Sequence, residues 1–450
     1  MARAKKKTAR LLALRTIRRV EKDQAYLDRL IDYYQDQVRL KPEERKLFSE
    51  LAYGVVRNQR LIDYYLEQVM DRKIHQTDLT TRALLRLGAY QLLFLDKIPP
   101  PAAINETVKL SAQYARPYIN AVLRKLLEKK NKLHSPDAEP DVVRRLSVKY
   151  SHPEWLVRRW LVQFGEEETE RLLSANNERP PITLRVNSIR TSQSALIEYL
   201  ARYNIKAKAG KFSPYAVIIE EHKFPRRLPG YEQGLFAIQD EASQVVVLLL
   251  EPKPGDKILD ACSAPGTKTL EIYQLMERKG RLVSADIHQK RLELVKKEAK
   301  RLGLSGFELL VQDLTQPLNL SGKKKPVFDK ILIDAPCTGL GTIRRHPEIK
   351  WQRKPEDVQK LSELQKALIK NLAQYVKLEG ILVYSTCTWT VEENQAVISL
   401  LIEKGEFELE DPKPYLPSSA RALIKNKIMQ TFPHKHGTDG FCAFRLRRIK

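Results

Sequence analysis

The apolar positions in the first 130 or so residues recur at helical spacing. Leu61, Ile62, Tyr65, Leu66 and Val69 form one stripe, and Leu84, Leu87, Tyr90 and Phe94 form another. Steps of three and four residues place such side chains on one helix face, and strand-like alternation is almost absent, so an all-α segment is predicted. Pro99-Pro100-Pro101 ends one helix and the chain re-enters another at Ala103. The polar stretch Asn131 to Pro140 marks a boundary. The pattern is mixed between 141 and 230. A helix with Trp155 and Trp160 precedes a strand at Ile182 to Val186, a helix at Ala195 to Tyr203 and a strand at Ala216 to Ile219. Such a small α+β domain suits RNA binding, or equally a spacer that positions its neighbour. From 231 onward, short apolar strands alternate with amphipathic helices. Strands are predicted at Lys257 to Asp260, Arg281 to Asp286, Phe307 to Leu310, Lys330 to Asp334, Gly380 to Ser385 and Phe441 to Leu446, with helices at 268–278, 288–302 and 357–378. This rhythm predicts an α/β doubly wound, Rossmann-like domain with a mostly parallel sheet. The expected domains are 1–135, 141–230 and 231–450.

Charge changes the picture more than composition does. Of 450 residues, 42% are hydrophobic and 30% charged, which is ordinary for globular protein, but the formal net charge is +24. That excess favours a polyanionic partner, nucleic acid first, against the plainer reading of a basic soluble surface. Within the first 20 residues stand Arg3, Lys5, Lys6, Lys7, Arg10, Arg15, Arg18 and Arg19, with no acid. An organelle transit peptide has this composition. The helical spacing of Leu11, Leu14 and Ile17, running on through Ala25 and Leu30, reads instead as the basic first helix of a folded domain. The longest apolar run, Val245 to Leu250, is too short to span a bilayer. The four cysteines (Cys262, Cys337, Cys387, Cys442) form no CxxC pair, so no metal cage is expected and a reducing cytoplasm is the expected location.

In doubly wound sheets ligands bind beyond the carboxyl ends of the strands, and the unusual residues fall there. The first strand of this domain runs into Asp260-Ala261-Cys262-Ser263-Ala264-Pro265-Gly266-Thr267-Lys268. Small residues let backbone approach a ligand, and a helix N-terminus offers free N–H groups. A phosphate-binding P-loop needs Gly directly before Lys, and Thr267 intervenes; a GxGxxG is absent as well. Asp286 lies about 20 residues beyond Gly266, the spacing at which an acid meets ribose hydroxyls in this fold class. Asp313 follows the third strand, where a polar side chain can meet an adenine ring. An acid-rich pocket suits a cationic sulfonium cofactor better than a triphosphate, although a lone strand-end Asp is more often a turn cap.

Two cysteines emerge on the same rim, in Asp334-Ala-Pro-Cys337 and Ser385-Thr-Cys387. Methylation of cytosine at carbon 5 needs such equipment, because that carbon is a poor nucleophile until a thiolate has added to carbon 6. Asp334 is placed to stabilise charge through ring N3; for that role it is expected to be protonated or to share a proton with the base, with a raised pKa. Cys262 and Cys442 are expected to be chemically inert. The basic segment Arg344 to Lys354, with His346 and Trp351 interleaved, suits phosphate contact and base stacking, or is a solvated basic loop.

Asp-Ala-Cys-Ser-Ala-Pro-Gly-Thr-Lys-Thr (260–269), with the two cysteine motifs, resembles the RNA 5-methylcytosine methyltransferase superfamily, and within it the RsmB (Sun/Fmu) family of bacterial 16S rRNA cytosine methyltransferases. Gly234 to Ser243 and Arg344 to Trp351 support this. Leu87-Gly-Ala-Tyr90, Ile98-Pro-Pro, Ala103 to Glu106 and Asn120 to Leu123 resemble a NusB-type RNA-binding domain. The resemblance implies Cys387 as nucleophile and Cys337 as the residue that assists product release. It implies that Cys262, Ser263, Ala264, Pro265, Gly266, Thr267, Lys268, Asp286, Asp313 and Asp334 contact S-adenosylmethionine. Thr267 departs from the second Gly usual in the family, which puts cofactor affinity in question, although Thr suits a helix N-terminus. The implied partner is 16S rRNA, unassembled or in a partly assembled small subunit, with no DNA and no membrane, for a monomeric enzyme. The competing class is a non-catalytic RNA-binding assembly factor, for which three intact reactive residues would serve no chemical purpose.

Overall fold

Helix α1 (Ala9–Asp23) shows how the chain's pattern becomes structure. Leu12, Ala13, Leu14, Ile17 and Val20 are buried along one side, while Arg15 and Arg19 stay exposed. The Thr8 hydroxyl accepts from Leu11 N–H and caps the first turn. The computed structural model describes residues 8–220, 224–320 and 327–450; Arg3, Lys5, Lys6 and Lys7 of the basic run lie outside them. The single helix expected through Leu30 is interrupted: Gln24 turns left-handed (φ 52°), and α2 (Leu27–Gln37) begins anew. The reason is long-range, since Leu27 N–H donates to Glu348 Oε1 at 3.0 Å.

Helices α3 (Pro42–Arg57), α4 (Gln59–Glu67), α5 (Leu79–Phe94), α6 (Pro100–Val108), α7 (Arg116–Lys129), α8 (Val142–Lys149), α9 (Glu154–Phe164) and α10 (Glu166–Asn177) complete the helical succession. Helix α5 is buried over most of its circumference and forms the centre of the helical core. The buried charge it carries is matched: Arg86 makes two 2.8 Å bonds to Asp63 and a third of 3.0 Å to Glu21.

The chain divides into two compact units. The helical one runs to Glu178 and takes in Ile343–Arg353; the other comprises Arg179–Thr342 and Lys354–Lys450. The second unit opens with β1 (Ile182–Val186), α11 (Gln193–Ala201), β2 (Ala207–Ala209), β3 (Ala216–Ile219) and β4 (Phe236–Ile238). Its strands pair antiparallel in the order β2-β3-β1-β4, with one face packed around Leu184, Leu196 and Phe236. Then come α12 (Glu241–Leu250), β5 (Lys257–Ala261), α13 (Thr267–Leu275), β6 (Arg281–Asp286), α14 (Gln289–Leu302), β7 (Glu308–Val311) and β8 (Phe328–Asp334). After β8 the chain supplies α15 (Ile349–Gln352) to the helical unit, then returns for α16 (Pro355–Ala373), β9 (Val376–Thr386) and α17 (Gln395–Ile402). β10 (Phe407–Leu409), β11 (Ile424–Lys425), β12 (Ile428–Gln430) and β13 (Cys442–Arg448) finish it.

In the large sheet β7-β6-β5-β8-β9 are parallel, and β13, β12 and β11 continue it antiparallel beyond β9. The predicted doubly wound sheet is therefore mixed. Helix α12 has no counterpart in the sequence pattern: its buried positions run all round it, so no amphipathic period marks it. Strands β2, β4 and β10 to β12 span two or three residues each and carry too few positions for a pattern.

Candidate active site

Strand order reverses between β5 and β8, with β6 on one side and β9 on the other, so the carboxyl ends of these strands frame a crevice. The loop after β5 turns on Gly266, whose φ is +103° and where a Cβ would lie 2.8 Å from Val295 Cγ1. Glycine is required there on both counts. Gly266, not Thr267, caps α13; Thr267 is its first residue, half-buried, and its carbonyl accepts from Arg185 Nη1 at 2.6 Å. No side chain caps α13, so its leading N–H groups face the crevice rim without that competitor. Ser263, Ala264 and Lys268 are buried, Cys262 is half-buried at φ 57°, and Pro265 is exposed.

Asp286, at the end of β6, is buried and fastens this loop by accepting from Ala264 N–H (3.3 Å) and His288 N–H (2.9 Å). Asp313 is different. It is exposed, and its Oδ1 accepts from the N–H and hydroxyl of Thr315 at 2.9 and 2.8 Å. Those bonds close its own turn, whereas the other predicted acids reach across the crevice or fasten the cofactor loop.

At the end of β8, Asp334 accepts from Lys268 Nζ (2.7 Å) and from the Ser385 hydroxyl (2.9 Å). Burial disfavours the charge on Lys268, but the Asp334 charge and hydrogen bond, then the charges of Cys387 and Asp260, outweigh it and hold the ammonium above its usual range. The donors on Asp334 are thus a cation and a hydroxyl, which tie it to the β5–α13 loop and to β9. Asp260 is fully buried near the end of β5 with the Thr269 hydroxyl on it (2.5 Å). Burial pushes its carboxyl to about 7.

Cys337 and Cys387 meet across the crevice, each half-buried, with their sulfurs 3.2 Å apart. Cys387 N–H also donates to Cys337 Sγ at 3.3 Å. The hydrogen bond to Cys387, then burial, then nearby negative charge push the Cys337 thiol well up. Burial raises Cys262 and takes Cys442 to about 12. Both are poor nucleophiles, as expected.

Most of the Arg344–Lys354 segment is buried or half-buried and only Lys354 at its end is exposed. Arg344, Glu348, Ile349 and Lys350 are buried in the helical unit. Lys350 Nζ donates to Arg57 O (2.7 Å) and Asn177 Oδ1 (3.0 Å), and Trp351 Nε1 donates to Val56 O (2.8 Å). Burial presses the Lys350 ammonium well below its ordinary range. Charge counting could not separate these internal donors from surface cations.

Sequence reasoning passed over two groups that shape the site. Arg185 on β1, fully buried, bonds Gln239 (2.6 Å) and Glu271 (3.3 Å) besides Thr267 O. Glu393 lies buried six residues beyond Cys387. Neither stands in a motif, and one strand-interior Arg or pre-helix Glu gives no signal in a single sequence.

Comparison with known proteins assigns the three parts. Residues 247–447 match a family model described as 16S rRNA methyltransferase RsmB/F, residues 152–223 the ferredoxin-like domain of RsmF/B-like methyltransferases, and residues 7–128 the NusB family. A probable ribosomal RNA small subunit methyltransferase B from Bacillus subtilis (strain 168) is 35% identical over 99% of both chains. Another from Synechocystis sp. is 34% identical over 98% of this chain and 99% of its own. Among solved structures, that of PH0851 aligns over 98% of both chains (TM-score 0.81, 26% identity). NSun6 from Pyrococcus horikoshii, solved with SFG, aligns over 66% of this chain and 98% of its own (TM-score 0.59, 25% identity).

Proposed function

Because the chain belongs to the RsmB/F family of 16S rRNA methyltransferases, we propose that it transfers a methyl group from S-adenosylmethionine to carbon 5 of a cytosine in 16S rRNA. The observation that carries this reading is the 3.2 Å approach of the Cys337 and Cys387 sulfurs on the rim that also holds Asp334 and the β5–α13 loop. S-adenosylmethionine supplies an electrophilic methyl group. The crevice fits it: the β5–α13 loop (Cys262 to Lys268) is kept narrow by Gly266, while Asp286 and Asp334 offer carboxylates to ribose hydroxyls and to a sulfonium. NSun6, a structural neighbour, was solved with SFG. Asp313 joins the set only if its turn opens.

Cys387 is the nucleophile. Its sulfur lies within the field of the Lys268 ammonium, while the Cys337 thiol is pushed well up. The thiolate adds to carbon 6, ring electrons pass to carbon 5, and carbon 5 would take the methyl as the methyl–sulfur bond breaks and its electron pair stays on that sulfur. The Lys268–Asp334 pair faces the ring as a charge-matched hydrogen-bonding partner. Loss of the carbon 5 proton to a base then expels the Cys387 sulfur and restores the aromatic ring, with Cys337 assisting release. Carbon 6 is reachable only in an unstacked base, so the target cytosine is single-stranded or flipped out.

The basic side of α1 (Arg15, Arg18, Arg19, Lys22) and the net charge of +24 supply attraction for phosphates. The functional division proposed is 1–135 and 141–230 for RNA binding and positioning, and 231–450 for catalysis, in a cytoplasmic monomer acting on free or partly assembled 16S rRNA. No helix among the described residues is long and apolar enough to cross a membrane. Mapping 5-methylcytosine in rRNA from cells with and without this chain tests the reading. One 16S cytosine that loses its mark supports it, and an unchanged map rejects it.

A further inference from the structure

The Glu393 carboxylate is fully buried and takes four donors. Its Oε1 accepts from Thr338 N–H (2.8 Å) and Gln365 Nε2 (3.1 Å); its Oε2 accepts from the hydroxyls of Thr338 (2.6 Å) and Thr390 (2.7 Å). Thr338 directly follows Cys337, and Thr390 lies three residues beyond Cys387. The two loops also touch through the Thr338 and Thr388 hydroxyls at 3.1 Å. Gln365, on α16, reaches on to Pro336 O at 2.8 Å. Glu393 is itself fixed, since the buried Tyr384 hydroxyl on β9 donates to its carbonyl at 2.7 Å. A single side chain therefore ties the loop of each cysteine to the other and to the helix behind them.

We propose that Glu393 is a positioning residue that holds the Cys337 and Cys387 loops at the sulfur spacing required for covalent catalysis. This rests on the reading of Cys387 as nucleophile. Without the clamp, Thr338 N–H and the threonine hydroxyls lose buried partners and the loops move apart to find others. Displacement of a reacting group by about 1 Å costs on the order of a hundredfold in rate. Glu393 also places negative charge near Cys337, which favours the protonated thiol.

Two variants separate geometry from charge. In Glu393→Gln the amide oxygen can still serve Thr338 N–H and Gln365, while its NH2 faces hydroxyls able to rotate and accept, so the clamp keeps its partners through weaker neutral bonds and the charge goes. In Thr338→Val the charge stays, and the hydroxyl bonds to Glu393 and to Thr388 both go. Each is assayed for turnover and for the rate of covalent capture of RNA carrying 5-fluorocytosine at the target. For Glu393→Gln, kcat falls about tenfold, the loss of a charged hydrogen bond's worth of positioning, KM for RNA stays within about twofold, and the alkaline limb of the kcat profile moves to lower pH. For Thr338→Val, kcat and capture slow several-fold with the pH profile unmoved. Wild-type capture at Cys387 together with undiminished kcat and capture in both variants overturns this inference alone, as does a rise in KM at constant kcat. Failure of wild-type protein to be captured at Cys387 overturns the underlying reading, and this inference with it.

Discussion

At the scale of single residues, the two cysteines are distinguished by surroundings rather than by identity. Cys337 accepts from Cys387 N–H and is held as a thiol, while Cys387 faces the field of Lys268. Cys387→Ala therefore abolishes methyl transfer and leaves cofactor binding intact, read by isothermal titration, whereas Cys337→Ala accumulates a protein–RNA adduct visible on a denaturing gel. Ordinary turnover by Cys387→Ala contradicts the assignment. The Lys268–Asp334 pair is mostly shielded, with side-chain exposures of 8% and 31%, so Asp334→Asn strands a cation and lowers kcat/KM by about a hundredfold. Asp260 gives a prediction in pH. Its folded pKa, about 7, exceeds the unfolded value, so the folded state holds a proton that the unfolded chain has lost. Stability therefore falls as pH rises from about 4 to about 7, and the full penalty stands above that window. Asp260→Asn removes it. The variant melts at a higher temperature than wild type at pH 8, by a few degrees for roughly 1–3 kcal/mol, and the gain vanishes towards pH 4. An unchanged gap across that range contradicts the account.

At the scale of elements, periodicity and strand-end chemistry carried most of what was legible. Strands at Ile182–Val186, Ala216–Ile219 and Arg281–Asp286 stand where alternation and apolar runs predict them. The β–α rhythm places Asp334, Cys337 and Cys387 on one rim of the sheet, and the pairing of β8 with β9 brings them side by side. What stayed hidden depends on partners far away in sequence. The break between α1 and α2 answers to Glu348, and Lys350 reads as a surface cation until Arg57 and Asn177 are seen to enclose it. Asp313 fits the spacing of a ligand yet caps its own turn, because spacing does not say where a carboxylate finds its donors. These assignments part in RNA binding. Lys350→Met leaves RNA affinity within about twofold, whereas Arg15→Ala with Arg19→Ala weakens it. The double variant also lowers the slope of log affinity against log salt by about one for each phosphate it no longer neutralises. The reverse pattern would restore the α15 segment as an RNA surface.

At the scale of the whole molecule, a NusB-type helical unit, a small ferredoxin-like sheet and a Rossmann-like methyltransferase sheet occur in one chain, with a helical-unit strap encoded between β8 and α16. The net charge of +24 makes association with RNA steeply salt-dependent. A flat response between about 50 and 200 mM salt, where about a thousandfold loss is expected when roughly six or more phosphates are neutralised, contradicts an electrostatic RNA surface. The proposed function turns on one bond, between a sulfur and a pyrimidine carbon. Its most direct test incubates the intact protein and S-adenosylmethionine with 16S rRNA carrying 5-fluorocytosine, followed by protease digestion and mass spectrometry. The account predicts a stable methylated nucleotide on the peptide containing Cys387, formed only with cofactor present; no adduct, or one carried by Cys337, contradicts it.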